Sequence, residues 1–252
     1  MTLLAVCGDA STTTAYALAA MWPTPDVLLV EADGSGGDLA AWLDIREQPG
    51  VATAVTMAPT GSWPVIEAQV QRHGSLAILP LPVRAGEASV AVREAAVRLL
   101  PTLSALAGLT AIADCGFCHS SVLSPTVTQA ALVVVTIRQP SMSPRAAAAH
   151  LDRIGELVDA LGLRAVPTVA VVVGEEPYRS SEISAFLGGS SGGLPVLVFA
   201  DDPVGAAVAA GRERVGRGFM RSHLAKSAGA AARELAVRLE SLGSVDVAAV
   251  RS

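Results

Sequence analysis

The chain has 252 residues, of which 51% are apolar and 16% are charged, and its formal net charge is −5. This apolar content excludes an intrinsically disordered or collagen-like protein, because burying these side chains can offset the ordering entropy of the backbone. Of the 18 cationic residues, 17 are arginines and one is Lys226, so any mechanism that needs a lysine within residues 1–225 is excluded. Aromatic residues make up only 4%, which leaves few rings on which nucleic-acid bases could stack.

Signals for export and membrane insertion are absent from the sequence. No apolar run is long enough to cross a bilayer, and the first residues lack the cationic start of a secretory signal. The three cysteines, Cys7, Cys115 and Cys118, are too few for a disulfide framework, which is typical of a reducing compartment. We therefore expect a cytoplasmic protein.

Short runs rich in Val, Leu and Ile alternate along the chain with longer Ala- and Leu-rich segments of helical spacing. Ser143 followed by Pro144 predicts the start of one helix. Most of the strands lack polar alternation, as strands buried on both faces of a parallel sheet do. The pattern predicts strands at 3–7, 27–32, 76–80, 109–113, 131–137, 167–173 and 195–199, and helices at 12–21, 36–43, 64–73, 87–106, 144–161, 180–187, 203–210 and 224–242.

This order of elements predicts an α/β fold with a doubly wound, mainly parallel sheet and helices on both faces. We expect a single domain at 1–242 and a C-terminal tail at 243–252. In such sheets ligands bind outside the carboxyl ends of the strands, so the loops that follow the strands are the candidates for a functional site.

The first strand runs into a tight turn and then an Ala- and Leu-rich helix. Unpaired backbone N–H groups and the positive end of the helix dipole converge on an anion in this geometry. A P-loop adds a lysine on the phosphates and a Ser or Thr hydroxyl on Mg²⁺. The segment Cys7–Ala19 supplies the strand end, three consecutive threonines and the helix, but not the lysine. The alternative is that 8–14 is only a capped helix start.

The segment resembles the deviant Walker A motif of the MinD/ParA (SIMIBI) class of P-loop ATPases, Lys-Gly-Gly-x-Gly-Lys-Thr-Thr. Cys7 takes the place of the signature lysine, Asp9 that of the second glycine and Thr12 that of the P-loop lysine. These changes weaken phosphate binding, because unit charges about 4 Å apart near a surface interact by about 4 kcal/mol at an effective dielectric of about 20. The resemblance implies that Thr13 binds Mg²⁺ and that the phosphates contact Gly8, Asp9, Ala10, Ser11, Thr12, Thr13 and Thr14.

Three later loops match the same family. Asp33, after the second strand, matches an aspartate that lies near the attacking water; the alternative is a flexible turn with Asp38 as a helix N-cap. Asp114 matches the Walker B aspartate that holds Mg²⁺, together with Thr13. Asp202 and Pro203 match the turn that packs on the adenine. The resemblance therefore spans about residues 1–242.

The missing lysines indicate a degenerate, TadZ/CpaE-like member, with weak or no binding of ATP and Mg²⁺ and slow hydrolysis if any. The resemblance implies a homodimer formed across loops 8–14 and 33–38, which organises an unidentified protein partner such as pilus, secretion or partitioning machinery. The alternative is an active ATPase in which Arg138 or one of the arginines at 212–221 replaces the lysine.

Two further features, a basic patch and a cysteine motif, can each be interpreted without a function. A basic patch could contact DNA, anionic membrane or an acidic partner, although a solvated face is favoured. The motif Cys115-Gly-Phe-Cys118-His119 matches haem attachment and redox patterns, but haem needs export and zinc lacks a fourth ligand, so neither is expected. Coincidence is favoured over redox chemistry, and Cys7 is expected close to Cys115. The basic patch comprises Arg212, Arg214, Arg217, Arg221 and Lys226.

Overall fold

A computed structural model describes residues 2–58, 63–104, 106, 108–139, 142–189, 192–212 and 219–249, and the side chains of all of these except 104 and 243–249. Within these ranges eight strands form one sheet, in the order β3-β4-β2-β5-β1-β6-β7-β8. Every neighbouring pair is parallel except β3 with β4. The strands are β1 Thr2–Gly8, β2 Val27–Glu31, β3 Gln71–His73, β4 Leu76–Leu79, β5 Thr110–Asp114, β6 Leu132–Arg138, β7 Thr168–Val173 and β8 Val196–Phe199.

Helices cover both faces of this sheet, which confirms the predicted fold class. A π-helical turn at Ala95–Leu99 joins α5 to α6, and a 3-10 turn at Phe219–Arg221 precedes α11. The helices are α1 Ser11–Ala20, α2 Leu39–Trp42, α3 Val51–Met57, α4 Trp63–Glu67, α5 Ala85–Glu94, α6 Leu100–Ser104, α7 Pro125–Thr128, α8 Pro144–Gly162, α9 Ser180–Gly188, α10 Pro203–Ala209 and α11 His223–Ala249.

The sheet separates two hydrophobic cores. Residues of α3 to α9 pack on one face, and residues of α1, α2, α10 and α11 pack on the other. The central strand β1 is apolar along its length because both of its faces are covered, and Leu4 and Val6 are fully buried. Full burial of a side chain of this size stabilises the fold by about 1.5–3 kcal/mol. The two cores hold the carboxyl ends of the strands in fixed positions.

The seven predicted strands are all present, and Ser143 caps α8 by accepting the Ala146 N–H at 3.3 Å, as predicted. The predicted helix at 64–73 is wrong in its second half, where β3 forms an antiparallel edge. There the Gln71 side-chain amide donates to the carbonyl oxygens of Arg46 and Pro49, at 2.6 Å each. These tertiary contacts favour the extended backbone, and Gly74, with φ of 60°, permits the turn into β4.

Other elements differ from the prediction at their ends. The helix expected at 36–43 begins only at Leu39, and the short helices α3 and α7 were not predicted. The last helix was expected at 224–242 and extends to Ala249. The boundary between the domain and a tail at 243–252 stays a prediction. None of the helices in the described part of the chain combines the length and the apolar character needed to traverse a bilayer.

Candidate functional site

The turn between β1 and α1 lies at the centre of the carboxyl edge of the sheet, because β1 pairs with β5 on one side and β6 on the other. Gly8 has a φ of 107°, and a Cβ at this position would approach the Thr136 carbonyl oxygen to 2.4 Å. Ala10 adopts the left-handed conformation at the N-cap of α1 (φ 49°, ψ 34°) and makes no side-chain capping hydrogen bond. Glycine is therefore required at position 8 by close packing.

Asp9 is anchored to the sheet and to α8. Its Oδ2 accepts the Arg138 backbone N–H at 3.0 Å and lies 2.5 Å from His150 Nε2. The Asp9 N–H donates to the Thr136 carbonyl oxygen at 3.0 Å, and the Thr136 hydroxyl donates to the Asp9 carbonyl oxygen. The turn therefore holds a carboxylate where the family motif has a glycine. His150 was not expected as a partner of Asp9, although a polar residue on the buried face of α8 was the available signal.

Asp114 is almost fully buried at the end of β5. Burial raises the pKa of its carboxyl group, whereas hydrogen bonds from the hydroxyls of Thr12 and Ser11 and from the Gly116 N–H favour the ionised form. The Gly116 nitrogen lies 3.2 Å from Asp114 Oδ1. The first turn of α1 is thus fastened to β5 by its own hydroxyls, and Thr12, matched to the P-loop lysine, points at Asp114.

Asp33 approaches the same loop from β2. Its Oδ1 accepts the N–H and the hydroxyl of Ser35, at 2.8 and 2.7 Å. A Cβ at Gly116 would come within 2.0 Å of Asp33 Oδ2, so glycine is required for this contact, and its φ is 65°. The negative charge of Asp33 contributes to the raised pKa of Asp114. The two predicted carboxylates therefore lie close together.

Thr13 and Thr14 face a cavity of about 60 Å³ beside the turn after β8. Asp202 is the N-cap of α10, and its Oδ1 accepts the Gly205 N–H at 2.9 Å. Backbone hydrogen bonds of this kind lower the pKa of the Asp202 carboxyl group. The site thus brings Thr13 to Asp202 and Pro203, while the hydroxyls that donate to Asp114 belong to Ser11 and Thr12. Ligand pockets usually have about 300–1,000 Å³, so this cavity is small.

No family model and no curated protein sequence matches the chain. Solved structures do: the ParA family ATPase from Chlorobium tepidum TLS is 16% identical, with a TM-score of 0.69 over 93% of this chain and 98% of that chain. The chain has a ParA/MinD-like fold.

Two MinD proteins share this fold. MinD from Pyrococcus horikoshii OT3, complexed with Mg-ADP, is 14% identical, with a TM-score of 0.61 over 90% of this chain and 94% of that chain. The MinC:MinD cell division protein complex from Aquifex aeolicus gives 12% identity and a TM-score of 0.65, over 93% of this chain and 95% of that chain. At these identities the likeness shows the fold, and it confirms the architecture implied by the sequence resemblance.

Arg138 lines the cavity of the ParA/MinD-like fold next to Thr13. Its guanidinium Nη2 lies 3.8 Å from Asp201 Oδ1, and the two side chains are 52% and 36% exposed. Among the candidate substitutes for the missing lysine that the structure describes, Arg138 is the one that lines this cavity together with Thr13 and Thr14. The other candidates, at 212–221, belong to the basic patch.

The basic patch is described only in part. Arg212, Arg221 and Lys226 are exposed, and Arg214 and Arg217 lie outside the described residues. The contact of this patch with DNA or a membrane stays a prediction.

A buried glutamate that no sequence motif singled out lies beside this site. Glu31, at the end of β2, is 2% exposed. Its Oε1 accepts the N–H groups of Asp38 and Leu39, and its Oε2 accepts that of Leu81, at 2.7 Å each. Burial raises its pKa to about 7 despite these hydrogen bonds. Glu31 positions the loop that carries Asp33, and an acidic residue inside an apolar strand was the signal for it.

The three cysteines lie in one core of the ParA/MinD-like fold. As expected, Cys7 and Cys115 lie close together, at the carboxyl ends of the paired strands β1 and β5. There the Cys115 N–H donates to the Val6 carbonyl oxygen at 2.8 Å. A hydrogen bond from Cys7 to Cys118 raises the pKa of Cys7, an effect that burial reinforces, and lowers that of Cys118. Within the described ranges, no group of three His, Cys, Asp or Glu side chains has a metal-binding arrangement.

Proposed function

We propose that this chain is a degenerate ParA/MinD-like protein that binds ATP weakly or not at all, hydrolyses it slowly if ever, and acts as a dimerising organiser of a partner assembly. The observation that carries the proposal is the Asp9 carboxylate, which is fixed in the turn where the family places phosphate. No lysine occurs in residues 1–225 to offset its charge.

The residues of the turn fit a triphosphate poorly. The N-terminus of α1 offers backbone N–H groups, but Asp9 adds a negative charge beside them. Like charges about 4 Å apart at an effective dielectric of about 20 repel by about 4 kcal/mol, which corresponds to about a thousandfold in affinity. The Thr12 hydroxyl is already engaged with Asp114, and the adjoining cavity of about 60 Å³ leaves little room for a purine.

For the remaining family roles the proposal keeps the predicted residues. Thr13 and Asp114 are the proposed Mg²⁺ ligands, and Asp33 is the proposed carboxylate for orienting water. The contacts of Asp114 weigh against a strong metal site, because a cation must compete with the hydroxyls of Ser11 and Thr12.

Calorimetric titration with ATP and Mg²⁺ tests the proposal. We expect no saturable signal for the wild type, and a gain of at least tenfold in affinity for the double variant Asp9→Gly/Thr12→Lys, which restores the family residues. Thr128→Lys is the matched control, because it adds a lysine on α7, whose contacts are with the sheet near the start of β1. Tight ATP binding by the wild type that Asp114→Ala abolishes would sink the proposal.

One observation favours a second function. Arg138 lies on the cavity with Thr13 and Thr14, so it is the residue that could replace the P-loop lysine in an active ATPase. That alternative predicts phosphate release by the wild type and its loss in Arg138→Ala. Turnover should be retained in the control Arg84→Ala, which removes an exposed arginine at the N-cap of α5.

The dimer is proposed to form across loops 8–14 and 33–38. Gly34 and Ser35 are exposed there, and Phe117, on the adjoining loop after β5, is 50% exposed. Sedimentation equilibrium is expected to give a dimer for the wild type and for Thr128→Arg, and a monomer for Ser35→Arg. A wild type that stays monomeric with and without ATP contradicts this part of the proposal.

A further inference from the structure

Helices α8 and α9 leave an apolar groove between them on the outer surface of the protein. Two cavities, of about 260 and 590 Å³, lie along this groove, and Leu151, Phe186 and Leu163 are among the side chains that line them. Phe186 is 52% exposed and Leu163 is 87% exposed. We call the two cavities and their lining the α8–α9 groove. Covering apolar side chains of this size removes them from water, so the groove favours an occupant.

The charges around the α8–α9 groove have one sign. Among the described residues that line it, the charged ones are Asp152 and Glu182 at the first cavity and Asp159 at the second. All three are exposed, and within the residues that the structure describes none of them forms an ion pair. An apolar floor with an acidic rim is complementary to an apolar side chain that is flanked by cations.

The basic patch of the same chain offers that combination. In the 3-10 turn before α11, Phe219 is buried against Tyr16, with their ring centroids 5.5 Å apart. The next residue, Met220, is 59% exposed, and both Arg221 and Lys226 are exposed beside it. Methionine is flexible and fits irregular apolar sites well. The patch therefore presents an apolar anchor among positive charges, on a turn that Phe219 holds in place.

The patch and the groove lie on opposite faces of the sheet. Phe219 belongs to the core beneath α1, α10 and α11, whereas Ile183 and Leu187 of α9 belong to the core on the other face. One copy therefore cannot fill its own groove. Because the two surfaces differ, a second copy can join them only head to tail, which leaves a free patch at one end of the pair and a free groove at the other.

We propose that the α8–α9 groove binds the basic patch of a second copy of this chain. Met220 occupies the cavity beside Phe186, and the cations of the patch face Asp152 and Glu182. The contact is small and mostly exposed, so we expect a dissociation constant on the order of 100 µM that falls at low salt. It adds little at low micromolar concentrations, where the dimer across loops 8–14 and 33–38 is tested, and it is independent of that dimer and of nucleotide.

Sedimentation velocity at about 300 µM, above the expected dissociation constant, tests the proposal in the Ser35→Arg background, which removes the proposed loop dimer. We expect the weight-average sedimentation coefficient to rise with protein concentration and to fall with added salt. Met220→Asp in the patch and Asp152→Arg in the groove should each weaken the association at least about tenfold, because like charges are then opposed. Glu87→Arg, which reverses an exposed charge on α5, is the matched control and should keep the association.

Mixing two defective variants tests the head-to-tail arrangement itself. Met220→Asp keeps an intact groove and Asp152→Arg keeps an intact patch, so neither should associate alone, whereas the mixture should form a heterodimer that does not grow further. Both substituted side chains are exposed, and circular dichroism verifies the fold of each variant.

Three results would overturn the inference: a protein that stays monomeric at this concentration, an association that survives Met220→Asp, or a mixture without the heterodimer. The first would leave the groove to a basic partner other than this chain. Association that Ser35→Arg abolishes and Met220→Asp leaves intact would support the loop dimer and contradict the head-to-tail contact.

Discussion

The Asp9 carboxylate is paired with the His150 imidazole, 2.5 Å away between Oδ2 and Nε2, across 141 residues of sequence. His150 is 9% exposed and Asp9 23%, so this pair lies at the boundary between the core and solvent. It joins the turn after β1 to α8, and it explains how the chain accommodates an acidic residue in a position that the family gives to glycine.

Removing His150 is expected to destabilise the fold. His150→Ala leaves a partly buried carboxylate with one hydrogen bond fewer, which lowers the free energy of unfolding by about 1–3 kcal/mol. Urea denaturation of the two single variants and of Asp9→Ala/His150→Ala gives the coupling energy of the pair, expected at about 0.5–3 kcal/mol. Additive effects of the two substitutions would mean that the pair contributes nothing.

Glu31 is expected to make the protein less stable as the pH rises. Its pKa is about 7 in the folded chain and 4.5 ordinarily, so between these values the folded state binds the extra proton. The contribution of Glu31 to the free energy of unfolding is fully present below pH 4.5 and is lost as the pH rises through 7, by about 3 kcal/mol in total. Burial of Asp114 acts with the same sign.

Urea denaturation as a function of pH tests this expectation. Glu31→Gln should flatten the pH dependence and lower stability at pH 4.5, because the amide cannot accept from the Leu81 N–H and the α2 N–H groups together. Glu87→Gln, on the exposed side of α5, is the matched control and should keep the wild-type slope. An unchanged slope in Glu31→Gln would assign the effect to other groups.

Substitutions at two glycines allow the energetic cost of backbone strain to be distinguished from the cost of a steric clash. Gly116 and Gly108 both have positive φ, 65° and 82°, but a Cβ at Gly116 meets the Asp33 carboxylate, whereas one at Gly108 meets nothing within 4 Å. Gly108→Ala should lower stability by about 1 kcal/mol through strain alone. Gly116→Ala should cost about 1–3 kcal/mol more and displace the Asp33 loop, which thermal unfolding and proteolysis would detect. Equal losses would contradict the packing described for Asp33.

Adjacent aspartates after β8 should differ in their effect on stability. Asp202 caps α10 and also accepts the Leu224 N–H at 3.1 Å, so Asp202→Ala is expected to lower the free energy of unfolding by about 1–2 kcal/mol. Asp201 makes only a 3.8 Å exposed ion pair with Arg138 among the contacts described, and its replacement by Ala should stay within about 0.5 kcal/mol. Denaturant unfolding of the two variants side by side measures the difference.

The architecture was predictable because it depends on local patterns. Unbroken apolar runs identified the seven parallel strands, and the rule for parallel sheets located Asp33 and Asp114 at one edge. Gln71 formed an unexpected strand because its partners, Arg46 and Pro49, are distant in sequence.

The contacts of the site were less predictable. Nothing near Asp9 in the sequence indicates His150 as its partner, because His150 lies on α8, 141 residues further along the chain. The hydroxyls of Ser11 and Thr12 were assigned to phosphate, since a local motif cannot reveal that a side chain is already bonded to Asp114. Glu31, by contrast, could have been found from its acidic side chain within an apolar strand.

The two outer strands of the sheet have a consequence for assembly. The edge strand β3 has three residues and carries the exposed Arg72, and the opposite edge strand β8 has four. Edge strands this short are poor templates for pairing with the backbone of another chain, and at β3 the charge of Arg72 adds to this effect. Copies of this protein are therefore not expected to join into a continuous intermolecular sheet, and recognition of any partner falls to side chains on the loops and helices.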